Sequence, residues 1–172
     1  MLETSVWFLG KELTLTSTLE NTPRLVPFHS HDKHPEYVIY AGIVFTVLTQ
    51  FYLHEWEHNP PAHLVSLAQD EILQEVDQQI VVINRILADD INYGIDSHVE
   101  CAVLKTINGI EIKNLKHLAQ LIDQISNTEV YIRFETRSNI IIVIECKQAK
   151  QSETKILKQN SIVHARSQKN EH

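Results

Sequence analysis

The alternation of apolar and polar residues predicts two well-marked helices and a weaker third one. One apolar stripe at helical spacing follows Asn59 and ends near Glu75, and a second follows Asn114. Side chains that recur every three or four residues share one face of a helix, and asparagine is a favoured residue just before a first helical turn. A weakly amphipathic stretch from about Lys147 to Gln159 predicts a C-terminal helix.

Short runs rich in β-branched and aromatic residues predict strands around these helices. The runs are 24–28, 37–48 with Gly42 in its middle, 80–87, 99–107, 130–135 and 140–145. An alternating stretch near the N-terminus predicts a hairpin around Gly10, which is marginally stable unless it packs on something else. Together these elements predict an α+β fold: a small, mostly antiparallel sheet or partial barrel with two packed helices and a C-terminal helix.

Length and charge restrict the classes of partner. The chain has 172 residues, enough for one domain with a core and too few for two. Its formal net charge is −7 with both signs interspersed, which disfavours nucleic acid, because phosphate binding needs a clustered basic face. No apolar run approaches the roughly 20 residues needed to cross a bilayer, and the N-terminus has no signal-peptide pattern. We therefore expect no membrane contact and a cytoplasmic chain.

The best candidate for chemistry is the glycine in Tyr40-Ala41-Gly42-Ile43-Val44-Phe45. A glycine between apolar residues, directly before a strand, lets successive backbone amides converge on an anion. An extended peptide can then pair with the strand and leave its C-terminal carboxylate at those amides. We predict that Gly42, Ile43 and Val44 form this carboxylate-binding loop.

A peptide groove also needs an apolar helix opposite the strand, and the helix after Asn114 supplies one. The side chains predicted to form its pocket are Ile43, Phe45, Leu118 and Ile122. His117, in the first turn of the same helix, is a further candidate for contact with a ligand side chain. Its alternative role is that of an ordinary solvent-facing helix residue.

These patterns, in their order along the chain, resemble the terminal (second) PDZ domain of Deg/HtrA-like, or protease Do-like, serine proteases. The blocks that carry the resemblance include Val26-Pro27-Phe28, Tyr40-Ala41-Gly42-Ile43-Val44-Phe45, Leu87-Ala88-Asp89-Asp90-Ile91-Asn92, Thr106-Ile107-Asn108-Gly109 and Asn114-Leu115-Lys116-His117-Leu118. The resemblance implies a PDZ-like domain over 23–146, a C-terminal helix and polar tail over 147–172, and a remnant hairpin over 1–22 similar to the end of a preceding PDZ domain.

The resemblance implies a non-catalytic module that binds peptide or protein C-termini, or extended peptides, by strand addition. The alternative is an assembly or autoinhibitory module whose groove is filled by its own chain or by another copy in a homo-oligomer. The N-terminal hairpin favours this alternative, because its apolar face needs a partner. The chain has four glycines and no Gly-x-Ser-Gly-Gly loop. Without such a loop no oxyanion hole is recognisable, so we expect no enzyme activity.

His54-Glu55-Trp56-Glu57-His58 matches the HExxH pattern of zinc hydrolases and gives a third hypothesis. Such a site needs a helix that carries both histidines and a third ligand. Two prolines follow directly after Asn59, and Leu64 stands where a third histidine would follow. We therefore predict that the chain binds no metal and no cofactor. In the alternative zinc-hydrolase hypothesis, His54 and His58 are the zinc ligands.

Overall fold

The computed structural model describes residues 2–8, 11–17, 24–27, 35–56, 59–95 and 97–167. The strands of this described part are β1 Leu2–Phe8, β2 Lys11–Ser17, β3 Tyr37–Tyr40, β4 Ile43–Val47, β5 Val81–Ile86, β6 Leu104–Ile107, β7 Ile110–Glu111, β8 Tyr131–Thr136 and β9 Ile141–Glu145. The helices are α1 Gln50–His54, α2 Ala62–Asp70, α3 Leu115–Thr128 and α4 Cys146–Gln159. The predicted α+β class is confirmed.

The strands form separate antiparallel sheets. The N-terminal hairpin is β1-β2, a second sheet has the order β3-β4-β5, and a third has the order β7-β6-β8-β9. The second and third sheets meet where Val82 bridges Val103 and where the amide of Ile83 donates to the carbonyl of Ala102 at 2.9 Å. The predicted hairpin at the N-terminus and the strand–turn–strand at 37–48 are therefore present.

The main core lies between these two sheets and α3. The buried face of α3 consists of Leu115, Leu118, Leu121, Ile122 and Ile125. It packs in one cluster with Phe45 of β4 and Phe134 of β8, whose ring centroids are 5.2 Å apart. Each such side chain contributes roughly 1.5–3 kcal/mol when it is fully buried, so this cluster fixes α3 over the sheets.

A second cluster lies under α1 and α2, and the bounds of α2 differ from the prediction. The helix begins at Ala62 and ends at Asp70 instead of spanning 59–75. Residues before a proline are biased away from helical angles, and Pro61 itself is not helical, with ψ at 118°. At the other end, the helix stops at Asp70, and Ile72 forms an antiparallel bridge with Arg24. Of the strand predicted at 24–28, residue 28 lies outside the described residues, and within 24–27 the structure has this single bridge.

The strand predicted at 99–107 begins only at Leu104. Residues Ser97–Val99 form a short 3-10 helix, and Cys101 has a positive φ of 66°, which is incompatible with an extended strand. In the described part of the chain, helix length and apolarity never reach what crossing a membrane requires. The predicted boundaries after residues 22 and 146 stay predictions.

Candidate functional site

The glycine of the predicted carboxylate-binding loop lies in a tight turn between β3 and β4. Ala41 and Gly42 both have positive φ, 50° and 81°, and Tyr40 pairs with Ile43 across them. Two consecutive residues with positive φ are typical of the two-residue turn that joins antiparallel strands. The loop is therefore a closed hairpin connection.

The side chain of Asn92 fills the inner side of this turn. Its Nδ2 donates to the carbonyls of Ala41 and Leu87, both at 2.8 Å, and its Oδ1 accepts from the amide of Asp89 at 3.0 Å. The carbonyl of Gly42 accepts from the amide of Leu87 at 2.7 Å. A Cβ on residue 42 would lie 2.4 Å from both Asn92 Nδ2 and the Leu87 oxygen, so only glycine fits.

The strand that follows the turn has a neighbour on both sides. β3 pairs with one edge of β4 and β5 pairs with the other. Strand addition requires an edge with unpaired amides and carbonyls. A peptide can therefore pair with Ile43 and Val44, as predicted from the sequence, only if β3 first leaves.

The predicted pocket residues come together, but inside the core. Ile43, Phe45 and Leu118 are fully buried and Ile122 is 2% exposed. Val38 and Tyr40 of β3 belong to the same cluster. The space beside β4, opposite α3, is thus occupied by β3.

His117 caps the start of α3. Its backbone amide donates to Asn114 Oδ1 at 2.8 Å, and its Nδ1 accepts from the amide of Lys113 at 3.3 Å. This exchange of hydrogen bonds is similar to a capping box, which satisfies amides that a helix start leaves unpaired. The predicted Asn114 cap is confirmed, and the histidine ring is engaged next to it.

The outer edge of β3 is covered by residues 162–167, which we name the strap. The amide of Ile39 donates to the carbonyl of Ala165 at 2.7 Å, and the amide of Ser167 donates to the carbonyl of Tyr37 at 3.0 Å. Val38 and Arg166 are antiparallel partners, and Ser167 Oγ accepts from the Tyr37 amide at 3.1 Å. The strap thus adds one more antiparallel segment beyond β3.

The strap also contacts α3. The guanidinium of Arg166 donates to both carboxylate oxygens of Asp123, at 2.8 and 2.5 Å. This contact joins the strap to α3, so the strap connects the outer edge of β3 with the helix. A small apolar cluster lies beneath it and contains Ile39, Leu87, Ile156, Leu157, Ile162 and Ala165.

An ion pair fastens α4, the helix before the strap, beside the Asn92 turn. Lys155 Nζ lies 2.7 Å from Asp89 Oδ2 and 3.4 Å from Asp90 Oδ2. The Asp89 side chain is 2% exposed, and its Oδ1 accepts from the amide of Ile91 at 3.3 Å. The hydrogen bond from Lys155 lowers the pKa of Asp89, and Asp89 raises the pKa of Lys155. Asp89 therefore caps the short 3-10 helix that follows it, and it also makes an ion pair that sequence reasoning missed.

The HExxH pattern is not carried by a continuous described helix. α1 ends at His54, and Glu57 and His58 lie outside the described residues. The histidines at 29, 31 and 34 also lie outside them. Within the described ranges, three or more histidine, cysteine, aspartate or glutamate side chains nowhere converge as metal ligands would.

A shallow cleft of about 390 Å³ lies near α2 and the turn between β8 and β9, where sequence reasoning placed no site. Its lining includes His63, His98, Glu100 and Arg137. His63 Nε2 lies 3.0 Å from the carbonyl of Cys101, and Arg137 pairs with Glu71. These polar groups already have protein partners.

Comparison with known proteins agrees with the sequence resemblance. The profile of the PDZ domain family matches residues 26–169. The chain is 34% identical over 156 residues to the putative protease Do-like 3, mitochondrial, of Arabidopsis thaliana, covering 91% of this chain and 26% of that protein.

Two further relatives extend the comparison. The chain is 33% identical over 159 residues to the protease Do-like 2, chloroplastic, of Arabidopsis thaliana, covering 92% of this chain and 26% of that protein. It is 36% identical over 100 residues to the serine protease DegP homolog of Plasmodium falciparum, covering 58% and 11%. The chain spans about a quarter of the length of the two Arabidopsis relatives. It belongs to the PDZ domain family and is related to the non-catalytic PDZ part of Deg/HtrA-type, Do-like proteases.

Proposed function

We infer that this PDZ domain is a regulatory or assembly module whose peptide groove is occupied by its own chain. The observation that supports this most is that both edges of β4 are paired, one of them with β3. In strand addition, an extended peptide takes the edge that β3 holds here. The groove of an open receptor for C-termini would have that edge free.

The direction of β3 supports the same proposal. It runs antiparallel to β4 and ends at the Gly42 turn, as a C-terminal peptide would if its carboxylate lay at that turn. A covalently joined segment is present at a high effective concentration. Its apolar side chains Val38, Ile39 and Tyr40 are at most 8% exposed, and each contributes roughly 1.5–3 kcal/mol when buried. A free peptide has to displace β3, which has both the high effective concentration and the buried side chains in its favour.

The Asn92 side chain supports the proposal at the Gly42 turn, where the carboxylate of a bound peptide would lie. A carboxylate-binding loop needs amides that point into an unfilled concavity. Here the asparagine amide group lies in that concavity and satisfies two backbone carbonyls. In a longer protein with a protease domain, such a module would control assembly or access through protein contacts, and it would not cut the substrate itself.

A peptide titration tests the proposal. A peptide with a free carboxylate and an apolar last residue is titrated into the full chain, next to the same peptide with a C-terminal amide. We expect equal and very weak binding, because the Asn92 side chain fills the inner side of the Gly42 turn, where a carboxylate would otherwise lie. The amide signals of Gly42, Ile43 and Val44 in nuclear magnetic resonance spectra report the site directly. Acid-selective binding that shifts these three signals would contradict the self-occupied groove.

A further inference from the structure

The strap points to the partner of this module, an inference that rests on the self-occupied groove proposed above. We propose that the edge of β3 facing α3 is a recognition site for an extended, arginine-bearing segment of a partner protein. The strap, residues 162–167, is the internal competitor for that site. It differs from the groove predicted from the sequence, because the pairing strand is β3 and no free carboxylate is needed.

The backbone of β3 supplies the part of the site that is independent of sequence. The amide of Ile39 and the carbonyl of Tyr37 point outward and pair with the strap. Main-chain pairing of this kind gives affinity to any extended segment, while side-chain contacts select among segments. Those contacts can be read from the strap itself.

Two side chains of the strap define the selected chemistry. Arg166 makes a two-point contact with Asp123, a geometry that matches the planar guanidinium and that lysine cannot reproduce. Ser167 Oγ accepts from the Tyr37 amide at 3.1 Å. Ala165, before the arginine, packs in the small cluster with Ile39. The preferred segment therefore reads small residue, arginine, hydroxyl residue.

The strap is held less firmly than the elements around it. The Arg166 and Asp123 side chains are 41% and 57% exposed, and an exposed ion pair contributes little to stability. Val163 is 82% exposed. In contrast, Ile156 of α4 is 1% exposed and Lys155 pairs with Asp89. The strap can therefore leave β3 while α4 stays docked, which exposes the site without unfolding the domain.

The strap of a second copy fits this site less well than a free segment. Ala165 lies four positions after Ser161 in the chain, and an extended chain of that length spans at most about 14 Å. A second copy would have to bring its own α4 to within that distance of β3. A disordered partner segment has no attached helix that must fit beside β3. The segment that replaces the strap thus comes from a partner protein, and exchange between copies would be detected in the experiment as a dimer.

The experiment uses the full chain and the peptide Ile-Val-His-Ala-Arg-Ser, capped at both ends so that it has no free carboxylate. Ser167→Pro removes the amide that donates to Tyr37 and the hydroxyl that accepts from it, and so weakens the internal competitor. Because a competitor that occupies the site lowers the apparent affinity in proportion, losing these two hydrogen bonds should raise the peptide affinity about tenfold. Val163→Ala, at an exposed strap position, is the matched control and should bind like the unmodified chain.

A charge reversal tests the arginine contact. In the Arg166→Ala background, where the strap no longer carries the arginine, Asp123→Arg should lower the affinity for the capped peptide at least about threefold and raise it by a similar factor for a peptide with glutamate in place of arginine. Arg166→Ala changes only an exposed side chain, so it provides a folded, strap-weakened variant even if Ser167→Pro fails to fold. The amide spectrum of each variant confirms its fold.

The possible outcomes separate this proposal from the previous one. Tighter peptide binding by the strap variants, dependent on arginine and on Asp123, supports the recognition site. No binding by a folded strap variant, or binding that ignores the arginine, overturns it. A dimer that dissociates when Arg166 or Ser167 is changed also overturns it in favour of exchange between copies. The capped peptide has no carboxylate, so none of these results depends on the Gly42 turn.

Discussion

At the scale of single residues, Asn92 determines whether the Gly42 turn is a binding loop or a structural one. It is 4% exposed and makes hydrogen bonds to the backbone of Ala41, Leu87 and Asp89. Removing a donor from buried carbonyls leaves them without a partner, which is destabilising. Only glycine fits at position 42 because this amide group lies against it.

An isosteric substitution isolates the donor. Asn92→Asp keeps the shape but replaces the donating amide with an oxygen that faces two carbonyls, so we expect a loss of at least about 2 kcal/mol in the free energy of unfolding. Urea denaturation at neutral pH measures it. Asn84→Asp makes the same chemical change at an exposed position of β5 and should stay within about 0.5 kcal/mol. Equal effects of the two substitutions would show that Asn92 does not hold the turn.

At the scale of elements, sequence patterns succeed where an element is defined by its own residues. The apolar stripe and the asparagine cap predict α3 correctly, and the glycine between apolar runs predicts the β3–β4 hairpin. The end of α2 and the late start of β6 follow from tertiary pairing, of Ile72 with Arg24 and of Val82 with Val103. Such pairing overrides local preference. The pocket side chains were correctly identified as apolar, but periodicity does not show whether the space beside them is filled.

The attachment of α4 gives a prediction about pH. Lys155 lowers the pKa of Asp89, so the pair contributes stability above the unfolded pKa of aspartate, near 3.9, and loses it as pH falls through the lower folded value. The pKa of Lys155 is raised, so the contribution persists until pH rises past that of a free lysine, about 10.4. Lys155→Met should lower the urea midpoint at pH 7 and have a smaller effect at acidic pH.

The control for this prediction is Lys147→Met, at an exposed position of the same helix. It should change the urea midpoint little at either pH. If the Lys155→Met deficit did not shrink as the pH falls below the pKa of a free aspartate, near 3.9, the ion pair would not be its cause.

At the scale of the whole molecule, the site is assembled from segments far apart in the chain. Tyr37 and Ser167 are separated by 130 positions, and Arg166 reaches Asp123 of α3. The polar sequence of the tail predicts a frayed end. The contact between the strap and β3 could not be predicted, because no local pattern encodes a contact between residues so far apart in the chain. The self-occupied groove that we propose therefore follows from the sequence only as an alternative to the open one.

Hydrogen exchange tests whether the strap opens independently of the fold. Opening free energies differ between parts of one protein, and weakly attached segments exchange by local events. Arg166→Ala should speed exchange of the Ile39 amide, which donates to Ala165 in the strap. The Ile83 amide donates to Ala102 in the core and should exchange at an unchanged rate. Equal acceleration at both amides would mean that the strap and the core open together.

The hairpin that joins β3 to β4 also sets the order in which the molecule assembles. Strands linked by a two-residue turn meet within about 1–10 µs, whereas contacts between distant parts of a chain form slowly because a long loop must close first. β3 therefore lies against β4 before α3 arrives to complete the groove, and the groove never exists empty during folding. We expect the strap, whose contacts reach back 130 positions along the chain, to be the last segment to dock. A partner segment present during folding competes with it from the start.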